Sequence, residues 1–413
     1  MLQTHTLKNG LRIVAEHLPY IHSVAVGLFV HTGSVFETED EGGISHFMEH
    51  MLFKGTERRS ARRISEDVEG VGGIHNAFTS KEYTCFHIRV IDEYTELAMD
   101  VLSDTLLHSK FDPAEMEKEK DVVIEEIAMS EDDPEDLCGE KVMEALYGKQ
   151  PIALPILGTA EKVKSFTREQ MLAYRKTHYR PDNSVLCIVG NIDFDNIVAL
   201  SEKYFGEWEA SAPVNGEYPY TGEHPSVIRI EKPIEQVHIS IAYPAFKQSD
   251  SRSLATALFN NSFGGAGSSR LFQTIREENG MAYSVGSYSG GSAYAGSLII
   301  YLSTTKRHVK KALKLIDDEI ADVLKNGITE AEFSMSRNQF RGNLALGAES
   351  SSNRMQYYGG KLICGLEVNT LDERLERLNR VTLEQVNAVA KECLSGVRAA
   401  AFVGNGADSI EFR

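Results

Sequence analysis

The sequence predicts an α+β protein built from two tandem copies of one fold, each a mostly antiparallel sheet with helices packed on one face. Three observations carry this expectation. Strand-like segments recur at a nearly constant offset: "HSVAVGLFV" at 22–30 and "HISIAYPAF" at 238–246 lie 216 residues apart, and "VLCIVGN" and "AAAFVGN", ending at Asn191 and Asn405, lie 214 apart. Acidic helix starts recur in the same way, "FDPAEMEKEK" from 111 and "ITEAEFSMSR" from 328, an offset of 217. Such self-similarity is the mark of a duplicated unit. Within each half, runs of strands precede runs of helices, the order of an α+β domain.

The elements follow in turn. The strands open each half, and helices at 96–108 ("ELAMDVLSDTLLH") and 308–325 ("HVKKALKLIDDEIADVLK") come after them. Further helix and a closing strand complete each repeat. The join falls in "ASAPVNGEYPYTGEHP", residues 210–225, where Gly, Pro and polar residues read as a linker. The expected domains are therefore 1–212, a linker at 213–225, and 226–413. A chain of 413 residues is also longer than one hydrophobic core comfortably supports.

Composition narrows the function classes. Apolar residues make up 42% and charged residues 25%, and no apolar run approaches the roughly 20 residues that span a bilayer. The opening "MLQTHTLKNGLRIVAEHLP" lacks a basic segment followed by an apolar one, so a cytoplasmic location is expected. Cys85, Cys138, Cys187, Cys364 and Cys393 are scattered, which suits unpaired thiols in a reducing compartment. A net charge of -17 argues against nucleic acid as a partner and favours basic peptides.

The chemistry concentrates in "GGISHFMEHMLFKGT", residues 42–56. Inside a helix, His46 and His50 lie one turn apart on one face, so both imidazoles can reach one ion. Zinc takes neutral imidazole, and a catalytic zinc needs a third protein ligand and an open position. Glu49 lies beside that face but offset from it, where a carboxylate can take a proton from a zinc-activated water. The pattern H-x-x-E-H is the inverse of the common H-E-x-x-H helix. A bare helix with two half-exposed histidines would carry the same five letters. Downstream, "EMEKEKDVVIEEIAMSEDDPED" reads as helix, with Glu119 and Glu126 two turns apart on one face and Val122 and Val123 beside them in a stripe expected to be buried. Buried carboxylates need partners, and zinc would be one.

"HFMEH" followed by Glu119 and Glu126 resembles the pitrilysin family of inverzincin zinc peptidases, closest to the half-length branch that includes the mitochondrial processing peptidase. The resemblance implies one zinc per chain held by His46, His50 and Glu126, Glu49 as general base and Glu119 supporting the ligands. Glu125 adjoins Glu126, and the seven-residue spacing from Glu119 favours Glu126. "SSRLFQTIREENGMAYSVGSYS" matches a second family element, in which Arg276 and Tyr283 would bind the substrate carbonyl near the scissile bond. Donors aimed at a developing oxyanion are what such a reaction needs. In "GGIHNAFTSKEYTCFHIRV" (72–90) the family would pair substrate as an added strand, with Asn76 and Ala77 in contact, and His75 reads as structural.

The repeat accounts for a single site. Adding 216 to the motif gives Ser262, Phe263, Gly264, Gly265 and Ala266, and adding 217 to Glu119 and Glu126 gives Ser336 and Asn343. The Gly-rich "FGGAGSS" resembles the family's flexible segment near substrate. Longer family members enclose substrate between two halves of two repeats each, which implies that this chain forms a dimer, with itself or with a related chain. The expected function is a zinc metalloendopeptidase acting on peptides or unfolded segments; the alternative is a non-catalytic assembly subunit of the same fold.

Overall fold

The computed structural model describes residues 2–210 and 220–412. Residues 213–219 of the expected linker lie outside the described residues, as do Met1 and Arg413 at the ends of the expected domains; 220–225 carry no helix or strand.

The first half contributes strands β1 (Leu2–Thr6), β2 (Arg12–His17), β3 (Ser23–Val30), β4 (Ile74–Thr79), β5 (Thr84–Ile91) and β6 (Ser184–Gly190). They form one sheet in the order β1-β2-β6-β3-β5-β4. All described pairings are antiparallel except β2 with β6. The helices of this half are α1 (Ile44–Leu52), α2 (Ala61–Glu69), α3 (Thr95–His108), α4 (Pro113–Asp132), α5 (Pro134–Tyr147), α6 (Ala160–Ser165), α7 (Arg168–His178) and α8 (Phe194–Phe205). The second half supplies β7 (Val227–Ile230), β8 (Gln236–Ala245), β9 (Ala282–Gly291), β10 (Gly296–Thr305) and β11 (Ala399–Val403), in the order β7-β11-β8-β10-β9. Its helices are α9 (Ser253–Asn260), α10 (Val309–Asn326), α11 (Glu330–Gly347), α12 (Ser351–Ile363), α13 (Leu371–Arg380) and α14 (Leu383–Leu394).

The two sheets share one topology, β2-β6-β3-β5-β4 matching β7-β11-β8-β10-β9, with β1 an extra edge strand. The duplication read from the offsets is therefore a duplication of fold. Most helices cover one face of each sheet: Phe47, Met48, Leu102, Val123 and Met171 join the large core of the first. Leu258, Phe259, Ile316 and Val389 do so in the second.

The opposite faces are covered as well, by single helices exchanged between the halves. The chain forms two compact units, residues 1–127, 155–218 and 345–370 in one and 128–154, 219–344 and 371–413 in the other. In the first unit, α12 lays Met355, Tyr358 and Ile363 on Val14, Ala25, Phe29, Cys85 and Cys187. A Cβ on Gly359 would come within 2.0 Å of the Phe29 ring, so the close approach of helix to sheet requires glycine there. Arg354 donates to both oxygens of Glu16 at 2.8 and 2.9 Å, and the Tyr358 hydroxyl donates to Glu16 at 3.0 Å. In the second unit, α5 packs on β8 and β11, and the Tyr147 hydroxyl donates to the Gly296 carbonyl at 2.8 Å. The exchange explains β3: seven of its eight residues are buried, because both faces of that strand are covered.

Candidate metal centre

Helix α1 carries the H-x-x-E-H residues, and its start is built with care. Gly43 precedes it at φ +92°, a conformation natural to glycine, and a Cβ there would lie 2.5 Å from the Leu157 carbonyl. The backbone N–H groups of Gly43 and Ser45 donate to the two oxygens of Glu37 at 2.7 and 2.9 Å. A helix start offers such unpaired donors, and its dipole favours a carboxylate. Burial pushes the Glu37 carboxyl up, against those backbone hydrogen bonds. The Tyr174 hydroxyl hydrogen-bonds Ser45 and Thr32, each at 2.7 Å, and pins the same turn from α7. Replacing Glu37 by Ala strands buried donors, so the expected loss is about 1–3 kcal/mol of unfolding free energy, measured by urea denaturation.

His46 and His50 stand with ring centroids 4.6 Å apart. From α4, Glu126 reaches both: its Oε1 lies 3.7 Å from His46 Nε2 and its Oε2 lies 3.5 Å from His50 Nε2. Among the described residues, these three form the group whose donor atoms all fall within 4.8 Å of one another. Burial, reinforced by His50, pulls His46 down to about 4, which keeps its imidazole neutral as a ligand must be. Two imidazole nitrogens and a carboxylate are a donor set that suits zinc, and the separations exceed ordinary hydrogen bonds while suiting ligands bonded to one ion at roughly 2.0–2.2 Å. Zinc fits these residues.

Glu125 is exposed and takes no part, since one residue along a helix turns a side chain by about 100°. The stripe expected to be buried is buried only on one flank: Glu119 and Val123 are, whereas Val122 is 51% exposed, because the limit of the helix's covered side runs between the two valines. Glu119 Oε1 accepts from His50 Nδ1 at 2.7 Å, which leaves His50 Nε2 free to face Glu126. Burial raises the Glu119 carboxyl, but hydrogen bonds from His50 and Lys54 overcome it and hold the group below its ordinary value. His46 Nδ1, by contrast, is buried without a partner among the described residues.

Glu49 stands outside the three-residue group, as the offset in the motif predicts. Its Oε2 accepts a 2.6 Å hydrogen bond from Thr79 on β4. Burial raises its carboxyl above the ordinary range, with Thr79 and His50 opposing. A carboxylate raised in this way is a better proton acceptor.

β4 is an edge strand, with β5 on one side. Asn76 is exposed and its Oδ1 accepts from the Ala77 N–H at 2.9 Å, while Ala77 packs on the core. His75 packs against Phe53 with ring centroids 5.5 Å apart and planes tilted by 50°, and among the described residues it belongs to no metal group. In the second unit, Arg276 donates to the Tyr283 carbonyl at 2.9 Å and lies over its ring at 4.6 Å. Tyr283 itself is 77% exposed. Of the segment matching the motif, Ser262 to Ala266, all but Ala266 lie in a wide helical turn, Asn261–Gly265, in which Ser262 donates to the Leu258 carbonyl and Gly264 abuts Ser287. Ser336 donates to the same Leu258 carbonyl at 2.8 Å. At the positions matching His46 and Glu119, hydroxyls hydrogen-bonded to backbone stand in place of an imidazole and a carboxylate.

Glu37, Lys54 and Thr79 lie outside the H-x-x-E-H motif. The spacing of four from His46 through His50 to Lys54 is a sequence signal for the lysine, but its partner Glu119, like Glu37 and Thr79, meets this region only through folding.

Family models match residues 12–160 to the insulinase-type peptidase family M16 and residues 165–340 to the M16 inactive domain. The chain belongs to the M16 peptidase family. This M16 chain is 40% identical over 405 residues to a Bacillus subtilis protein named as the uncharacterized zinc protease YmxG, covering 98% of each. It is 37% identical over 404 residues to an uncharacterized zinc protease of Mycobacterium tuberculosis, covering 97% of this chain and 92% of the relative. Among solved structures, it resembles an M16 inactive-domain protein of Pseudomonas fluorescens with a TM-score of 0.91 at 21% identity, covering 98% of each chain. A protease of Helicobacter pylori matches with a TM-score of 0.90 at 19% identity, covering 98% of this chain and 99% of that one. The pitrilysin-type resemblance read from "HFMEH" is thus the family of the whole chain. No helix among the described residues is long and apolar enough to cross a membrane.

Proposed function

We propose that this M16 chain is a zinc metalloendopeptidase that cleaves peptides or unfolded segments, with one zinc per chain. The observation that carries the proposal is the convergence of His46, His50 and Glu126 within 4.8 Å beside the separately held carboxylate of Glu49. Bound by those three residues, zinc would supply Lewis-acid chemistry, polarising a peptide carbonyl and making water a better nucleophile.

The chain's own residues do the rest. Glu49 takes the proton of the attacking water and passes it to the leaving amine. Glu119 orients His50 through Nδ1. The free edge of β4, at Asn76 and Ala77, offers backbone groups to an extended peptide, which gives affinity with little dependence on sequence. Arg276 and Tyr283 contact the substrate and stabilise negative charge on its carbonyl oxygen. The excess of acidic over basic side chains, 60 against 43, favours basic peptides.

Stoichiometric zinc together with chelator-sensitive cleavage of an unfolded peptide tests this function. Metal-free protein without cleavage would instead indicate a non-catalytic subunit of the same fold. We propose further that the working form is a dimer whose chains enclose substrate. Light scattering is expected to give twice the mass of one chain, and a fully active monomer would overturn that expectation.

A further inference from the structure

We propose that Lys54 is an outer positioning residue of the metal centre, holding Glu119 so that this carboxylate fixes the His50 imidazole with Nε2 turned toward Glu126. The inference rests on the zinc reading above and extends it to a residue that the motif does not contain.

The geometry is a three-member chain. Lys54 Nζ lies 2.5 Å from Glu119 Oε2, and His50 Nδ1 lies 2.7 Å from Glu119 Oε1, so each oxygen of one carboxylate is held by a different donor. The Glu119 side chain is only 5% exposed. A carboxylate so buried needs a compensating charge, since leaving it with one imidazole partner alone is costly. The Lys54 ammonium supplies the charge and fixes the rotation of the carboxylate at the same time.

Position matters as much as charge. His46, His50 and Lys54 are spaced by four, and the Lys54 ammonium reaches the same carboxylate that His50 Nδ1 faces. The helix ends at Leu52, and the Lys54 N–H still donates to the Met51 carbonyl at 3.2 Å, which keeps the turn close to the helix. The two histidines are supported unequally. His46 Nδ1 is buried without a partner among the described residues, so the Lys54–Glu119 pair provides the outer hydrogen bonding of this imidazole pair. Partners one step behind a metal ligand typically change metal affinity by about 10–100-fold when removed. An ordinary exposed ion pair would leave it unchanged.

The test measures the zinc dissociation constant of the full chain by chelator competition in wild type, Lys54→Met, Lys54→Arg, Glu119→Gln and the Lys54→Met/Glu119→Gln double variant. Thermal melting of each metal-free protein and the visible absorption bands of its cobalt-substituted form accompany it. Lys54→Met is expected to weaken zinc by roughly ten-fold or more and to shift the cobalt bands, while Lys54→Arg restores most of the affinity. In the Glu119→Gln background the same lysine change is expected to add less than about two-fold, because its effect passes through the carboxylate. Lys54→Met with unchanged affinity while Glu119→Gln weakens binding would overturn the proposal. So would an equal loss in both backgrounds, the signature of a general structural role. A wild-type chain that binds no zinc would instead overturn the zinc reading on which this one rests.

Discussion

Glu49→Gln is expected to lower kcat for peptide cleavage by about 10²–10⁴-fold while the protein keeps its zinc. The amide matches the carboxylate in shape, and its oxygen still accepts the Thr79 hydroxyl that now sits 2.6 Å from Oε2. What it cannot do is accept a proton. The residue is half-buried, and burial already opposes its charge, so a neutral replacement does not destabilise the fold. Stopped-turnover assays beside metal analysis check the prediction: a variant cleaving at the wild-type rate would remove Glu49 from the reaction. Chelation is expected to silence the wild type, with activity returning on added zinc, because His46, His50 and Glu126 bring their donor atoms within 4.8 Å of one another.

Arg59→Met is expected to cost about 3–5 kcal/mol of stability, the range for breaking one side of a buried charge cluster. The Arg59 guanidinium donates to Asp67 at 2.9 Å, to Asp104 at 2.8 Å and to Asp100. Asp104 is fully buried and also bonds Thr56 and Arg58, at 2.8 and 3.0 Å. The cluster joins the loop after α1 to α2 and α3, so its loss leaves three carboxylates sharing fewer cations. The pH dependence follows from Asp104. Burial raises its carboxyl, but Arg59, Thr56 and Arg58 overcome this and hold it below the ordinary value. A depressed folded value means that this stabilisation is fully present above the unfolded value, near pH 4, and is lost as pH falls through the folded one. The deficit of Arg59→Met is therefore expected to be largest at neutral pH and to shrink below about pH 4, read from urea midpoints across that range. A constant deficit would show that packing, not charge, holds this region.

Legibility in the sequence followed the range of the interaction. The expected helices at 96–108 and 308–325 agree with α3 and α10 to within a residue, because each is a local periodic pattern with its own buried stripe. The series His46, Glu49, His50 was legible because helix geometry alone sets which side chains share a face. Glu126 was legible through its spacing from Glu119, two turns of one helix.

The amino-acid sequence by itself determined the duplication, the α+β character of each repeat, the metal-type donors of the first and their loss from the second. Each is written in periodicity and residue chemistry that a short segment carries alone. Tertiary structure decided which helix covers the far face of each sheet, that Glu126 and not Glu125 approaches the histidines, and that Glu37, Lys54 and Thr79 brace the site. Those outcomes depend on where distant segments come to rest: the backs of the sheets are sealed by helices from the other half, and the Thr79 hydroxyl meets Glu49 only because β4 packs beside α1.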